Sequence, residues 1–568
     1  MDGDGTPASG TITMSRKRTG DPYAHHVICN ELKSTSMKSS HYSRREFLKL
    51  AGMGTAAMTL PVNLLFSGTK NPQGSLPNIV YILSDDIGYG DVGAYYRLLN
   101  GSDPIIPTPH LDRLSRNGMM FMDAHTPASL SAPTRYASLT GNYPFRGRQQ
   151  WGVWLSYQQS NILSHQQTVA HIMKDAGYRT AFFGKWHIGG DWFDKAGNVV
   201  NRSWGDPEPD IARGYAKDGP TDQGFDYSCV LPAGIQHSPY AFFEDDQWMK
   251  LQGDSKIIHW EEGKYGYSKI NKAGKGDSNW DSSRTGPQLA DKAVHFIDDH
   301  QRRHPRKPFM MYYCSQAVHV PHTPPERFND KEIRDTTLSH HGDMIYELDQ
   351  QVGAIVAKLK KEGILDNTLI IFTSDNGGLN VRATEQTGHD SSGGLHGSKG
   401  QIYEGGHRVP FIAQWGDGTP AGSVIQPGSR SDQTICIQDW VATMYDLTGQ
   451  PMQKDQALDS ISLLPLLAGN HSNKDPLRDV SIYQASGGNK KDMAIRMGDW
   501  KLMLNGQEQA SELYNLAEDL KETRNLIADP GQEPRIREMM NAYHQVRHNN
   551  GRSTPLVDYS RNRKRTNW

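Results

Sequence analysis

Cysteine is scarce: Cys29, Cys229, Cys314 and Cys436 are the only four in 568 residues. None stands at the paired spacing of a zinc site, and thiols so far apart make no disulfide framework. Cys29 lies in an N-terminal segment expected to be removed, so at most one bridge would remain. Net charge is also small, formally −2, which excludes a bulk basic field and argues against a nucleic-acid partner. No internal repeat and no heptad run occurs, so neither a solenoid nor a coiled coil is expected. One apolar run, at about 50–66, approaches membrane-spanning length, but Gly52, Gly54 and Pro61 interrupt it. Such a run suits a removable signal better than an anchor.

Ser43-Arg44-Arg45-Glu46-Phe47-Leu48-Lys49 precedes that run and resembles the twin-arginine export signal. No cysteine follows Leu64-Leu65-Phe66, so a lipoprotein anchor is not expected. The chain is therefore expected to use the twin-arginine machinery and to be periplasmic or otherwise exported after signal removal. Residues ahead of Met37 are polar and patternless, and Met37-Lys38 would make a normal signal start. The remaining length suggests one large domain and a smaller one. The division expected is a 1–76 extension and signal, a 77–479 catalytic domain and a 480–568 C-terminal α+β part.

Asn78-Ile79-Val80-Tyr81-Ile82-Leu83 is a continuous apolar, β-branched run, as in a strand covered on both faces. Similar runs stand at Thr180-Ala181-Phe182-Phe183, Phe309-Met310-Met311-Tyr312-Tyr313 and Thr368-Leu369-Ile370-Ile371-Phe372. Helical periodicity appears at 168–176, 440–447 and 534–546, and through Met344, Ile345, Leu348, Val352, Ile355, Val356 and Leu359. Strands alternating with helices predict an α/β fold: a large, mostly parallel, doubly wound mixed sheet flanked by helices. Residues 190–284 are polar and weakly periodic, and read as substrate-shaping loops. Their aromatics (Trp192-Phe193, and 240–248), with Trp151 and Trp154, either stack on sugar faces or pack on the core. Past Val480, Arg496 to Leu502 reads as a hairpin strand with Glu512-Leu513-Tyr514 as its partner.

Each strand run ends in polar residues: Asp85-Asp86, Lys185 and His187, His319, and Asp375-Asn376. Singly these are ordinary turns and caps. Jointly they stand where open α/β sheets bind ligands, beyond the carboxyl ends of the strands. Asp85, Asp86, Asp375 and Asn376 are hard oxygen donors that suit a calcium-like cation better than zinc. Arg135, Lys185, His187, His319 and Lys399 are donors for an oxyanion. Cation and donors together are what attack on a charged ester requires. Ser131-Ala132-Pro133-Thr134-Arg135 supplies a reactive oxygen at the start of a predicted helix, with Arg135 on the same face.

Ser131, Pro133 and Arg135, followed by Leu139-Thr140-Gly141, resemble the signature of the formylglycine-dependent sulfatases. Thr134 stands where that signature usually has Ser. Further matching pieces are Gly184-Lys185-Trp186-His187, Gly224-Phe225-Asp226, Val318-His319, Ser374-Asp375-Asn376-Gly377, Lys399-Gly400, Glu404-Gly405-Gly406 and Asp499-Trp500-Lys501. The resemblance implies that Ser131 is oxidised to formylglycine (3-oxoalanine) by a radical-SAM maturase. It implies calcium on Asp85, Asp86, Asp375, Asn376 and modified Ser131. Arg135 and His187 would hold and activate the aldehyde hydrate, and Lys185 and Lys399 would bind sulfate. His319 would protonate the leaving alcohol, and His322 would touch substrate. One hydroxyl of the hydrate would attack sulfur, and deprotonation of the other would expel sulfate.

The substrate implied is a sulfated saccharide. Two alternatives stand beside it: a phosphate or phosphonate ester hydrolase of the same superfamily, and a non-catalytic glycan-binding relative. Relatives with two zinc ions need additional His/Asp ligands, and only one metal set is read here.

Overall fold

A computed structural model describes residues 76–202, 206–471, 475–485 and 491–559. The export signal and the stretch ahead of it lie outside these residues. Ten strands form one mixed sheet. In chain order they are β1 (Asn78–Ser84), β2 (Met119–Phe121), β3 (Arg179–Lys185), β4 (Tyr227–Leu231) and β5 (Phe242–Glu244). Then come β6 (Gln247–Met249), β7 (Phe309–Cys314), β8 (Thr368–Ser374), β9 (Phe411–Trp415) and β10 (Ser429–Ser431). Their order across the sheet is β6-β5-β4-β3-β7-β1-β8-β9-β2-β10. The centre, from β4 to β8, is parallel. Antiparallel pairs flank it on both sides.

The apolar runs explain why this sheet lies in the middle. Along β1, Ile79, Tyr81 and Leu83 enter one core, and Val80 and Ile82 enter the other. A strand buried on both faces needs helices on both sides. Helices α1 (Ser131–Thr140), α2 (Val169–Asp175) and α5 (Asp439–Thr448) pack on the first face. Helices α3 (Thr285–Arg303) and α4 (His340–Lys361) pack on the second. Cys229, Cys314 and Cys436 are buried and free.

The 190–284 region departs from expectation. It is threaded with short strands, and β4, β5 and β6 extend the main sheet. β4 is only five residues long and includes Ser228 and Cys229, so its apolar signal is weak. Trp192, Tyr240 and Phe243 of this region, with Trp154 ahead of it, are buried and pack on the core, while Tyr265 and Tyr267 are exposed. Tyr215 lies 4.2 Å from Trp192, ring centre to ring centre.

A second, antiparallel sheet follows: β11 (Val480–Ala485), β12 (Asp492–Met497), β13 (Trp500–Leu504) and β14 (Ala510–Asn515). The segment read as one strand from Arg496 to Leu502 is a β12–β13 hairpin that turns at Gly498, where φ is +57°. Ile482, Ile495 and Leu502 face α6 (Glu533–Arg547) together with Tyr143 and Phe145. Tyr483 and Met503 face Ile402 and Cys436. The sheet is thereby packed against the loop that carries Lys399.

Candidate active site

All the strand-end residues meet at the carboxyl edge of the parallel centre. Asp85 and Asp86 follow β1, Lys185 closes β3, and Asp375 and Asn376 follow β8. The chain after β7 turns back onto β1: Asp85 donates its N–H to Ala317 O at 3.0 Å, and Val318 donates to Asp85 O at 2.6 Å. That turn delivers His319.

Ser131 is the first residue of α1, after Leu130 in extended conformation. Proline at the third helical position costs no intrahelical hydrogen bond, and Gly141 ends the helix at φ +73°. Arg135, one turn on, is fully enclosed. It donates to Asp375 Oδ2 from Nη2 at 2.6 Å and from Nε at 3.0 Å, and to the Lys185 carbonyl at 3.1 Å. The Ser131 hydroxyl lies 3.3 Å from both Lys185 Nζ and His187 Nδ1.

Lys185 Nζ also reaches Asp85 at 2.8 and 3.1 Å. Lys399 Nζ meets Asp86 Oδ1 at 2.5 Å, and Asn376 Nδ2 donates to the same oxygen at 2.9 Å. His319 Nε2 stands 3.8 Å from Asp86 Oδ2. Three carboxylates thus share three cations out of water. Asp86 Oδ2, Asn376 Oδ1 and His187 Nε2 are buried with no hydrogen-bond partner. Asp86 and His187 also adopt positive φ, 64° and 56°, a costly backbone for residues that are not glycine.

Burial pushes the Asp86 carboxyl up, but the Lys399 and Lys185 ammonium groups outweigh it and hold it below the usual carboxylate range. Asp375 is pushed up to about 7 by burial and by the Asp85 carboxylate. Burial, with Lys185 and Arg135 alongside, holds His187 well below the usual imidazole range. It is therefore an uncharged base beside cations. Burial and the two lysines act on His319 in the same way.

Ser131, His187, His319 and Lys399 line a cleft of about 430 Å³. His322 is not among its lining residues. Its ring packs on His341 at 4.9 Å, and its Nε2 is buried without a hydrogen bond. No Trp, Tyr or Phe among the described residues lines the cleft.

The Lys399 loop reaches Asn376 only because glycines allow it. A Cβ on Gly377 would collide with Gly405 O, and one on Gly406 with Gln401 O. Gly377 donates to Gly406 O at 2.9 Å, and Lys399 donates its backbone N–H to Gly378 O at 3.1 Å.

A family model described as Sulfatase matches residues 77–450. The chain belongs to the sulfatase family. A second model, described as N-sulphoglucosamine sulphohydrolase, C-terminal, matches residues 394–549. The sulfatase is 31% identical to an N-acetylgalactosamine-6-O-sulfatase of Bacteroides thetaiotaomicron, over 79% of this chain and 89% of the relative. It is 29% identical to human arylsulfatase A, over 75% of this chain and 74% of that one. A solved structure titled for the metabolism of multiple glycosaminoglycans by Bacteroides thetaiotaomicron superposes with a TM-score of 0.68 at 28% identity. It covers 84% of this chain and all of its own. The sulfatase is accordingly a sulfuric ester hydrolase.

Gln158, Gln236 and His237 also line the sulfatase cleft, and sequence reasoning missed them. Gln236 and His237 lie in the turn beyond Leu231, where β4 ends, so recognising β4 as a parallel strand points to that turn. Gly234, at φ +83°, brings this turn against Lys185, whose Cδ would lie 3.0 Å from a Cβ there.

Lys399 is the lysine most open to the cleft, with 17% of its side chain exposed. Lys399→Ala should lower sulfate release by about a hundredfold, as loss of one oxyanion donor does. Thermal melts should shift little by comparison. A loss of folding as large as the loss of turnover would remove Lys399 from the oxyanion set.

Proposed function

We propose that this sulfatase hydrolyses sulfate esters of a glycosaminoglycan-type saccharide, using formylglycine at residue 131 and one calcium ion. The observation that carries this is the placement of residue 131. It opens a helix, 3.3 Å from an ammonium and 3.3 Å from an uncharged imidazole, above a buried set of carboxylates. The relatives' names direct the substrate reading, and 6-O-sulfated N-acetylgalactosamine is the first candidate.

Asp85, Asp86, Asp375 and Asn376 fit a calcium ion. All are hard oxygen donors, and Asp86 Oδ2 and Asn376 Oδ1 are buried polar atoms without another partner. Bound calcium would supply positive charge beside the nucleophile and the sulfuryl oxygens.

The chain's own residues divide the remaining work. Arg135 fixes Asp375 and carries positive charge to the floor of the site. Lys185 and Lys399 stabilise charge on the sulfuryl oxygens. His187 Nδ1 takes the proton at residue 131, and His319, on the cleft wall, protonates the leaving alcohol after itself taking up a proton, which the negative charge of the bound ester favours. A plain serine at 131 could attack sulfur, but its ester would have no second hydroxyl to expel sulfate. Oxidation by a radical-SAM maturase, before twin-arginine export, removes that dead end.

The test uses protein produced with such a maturase. The residue-131 peptide should lack the two hydrogens that oxidation removes. Sulfate should be released from 6-O-sulfated N-acetylgalactosamine, with no matching phosphate release from the phosphate ester. A chelator should abolish release, and added calcium should restore it. Full activity with an unoxidised peptide, or activity indifferent to chelation, would overturn the reading.

A further inference from the structure

A second chamber of about 320 Å³ lies beside the cleft. The two share Leu155, Gln158 and His237 as a common wall. The catalytic cleft thus adjoins a space of small-molecule size. Two cations line the chamber, Arg202 and Lys272. Among the described residues neither makes an ion pair, and Arg202 Nε is enclosed with no hydrogen-bond partner. An enclosed donor without a partner costs free energy that a bound acceptor can return.

The chamber's two acids do not fill that role. Glu208 is held in the wall: Tyr157 OH donates to it at 3.1 Å and Lys275 N–H at 2.8 Å, and the Ser238 hydroxyl donates as well. Asp206 lies on the exposed rim. The Lys272 backbone is pinned from both sides by Tyr240, whose hydroxyl donates to Lys272 O at 2.6 Å and accepts from Lys272 N at 3.2 Å.

Resting on the saccharide-sulfatase reading above, we propose that this chamber is the subsite for the sugar next to the sulfated one. Arg202 and Lys272 there bind an anionic group on that neighbouring ring, a carboxylate or a second sulfate. A guanidinium fits either as a two-pronged donor, and the ammonium adds a movable point charge.

The test compares the matured wild type with an R202A/K272A double variant. Four substrates share one sulfated ring: the monosaccharide, and disaccharides whose neighbour is neutral, a uronate, or itself sulfated. Wild-type kcat/KM should favour an anionic neighbour over the neutral one by about tenfold, mostly through KM. Which of the two anionic disaccharides gains identifies the group. In the double variant that preference should collapse to near unity. A wild-type preference near unity, or one the variant retains, would overturn the subsite while leaving the sulfatase reading intact. No sulfate release by the wild type from any of the four would overturn both.

Discussion

A Ser131→Ala enzyme, produced alongside the maturase but offering it nothing to oxidise, is expected to lose sulfate release by on the order of 10⁴-fold or more, with its fold unchanged. Removing a nucleophile costs this much because the surviving electrostatic groups act only on a reaction it begins. Stability is a separate matter. Ser131 caps nothing: the position before the helix is Leu130, and no side-chain cap is formed. Its hydroxyl makes only two long contacts, at 3.3 Å, and alanine suits a first helical turn. The melt should therefore move by less than about 1 kcal/mol. An aldehyde-reactive hydrazide should label wild type and not the variant. A variant retaining activity within tenfold of wild type would show that another oxygen attacks sulfur.

Most of this site could be read from the chain, for a physical reason. Parallel strands buried on both faces must be continuous apolar runs, so the first polar residues after each run stand out. Asp85, Lys185 and Asp375 were found in that way, and the structure brings all three within reach of Arg135 or Ser131. Two features hid from the same logic. β4 has too few apolar residues to announce itself, so Gln236 and His237 after it went unread. The α3 stripe, Leu289, Ala293, Phe296 and Ile297, keeps helical spacing, but charged residues surround it. His322 is a different case. The family resemblance gives it a substrate contact, and here its ring packs on His341 at 4.9 Å. Pairings between distant segments leave no local pattern at all. Asp499-Trp500-Lys501 reads as a motif, but Glu404, one of the partners of Lys501, lies 97 residues away.

That pairing supports the second large effect, a destabilisation of about 3–5 kcal/mol on Lys501→Met. Lys501 is fully buried on β13. Its ammonium reaches Glu404 at 2.9 Å, Glu522 at 2.8 Å and His407 Nε2 at 2.9 Å. Glu404 also binds Arg408 at 2.8 Å, and accepts nothing from solvent. Methionine preserves the volume but leaves Glu522 without its cation, and Glu404 with Arg408, which Asp123 also engages at 2.7 Å. The penalty should depend on pH, with a definite sign. Burial, against Lys501 and with Glu404 beside it, already pushes Glu522 up to about 7. Without the ammonium the folded-state value rises further above that of the unfolded chain. A carboxyl of this kind costs stability progressively as pH rises from its unfolded value through its folded one. The gap between wild-type and variant melts should accordingly be wider at pH 8 than at pH 5.5. Activity should fall as well, because Glu404 opens the Gly405-Gly406 turn that rests on Gly377, next to Asn376. A small gap that does not change with pH would mean that the C-terminal sheet braces the catalytic loop through its apolar contacts alone.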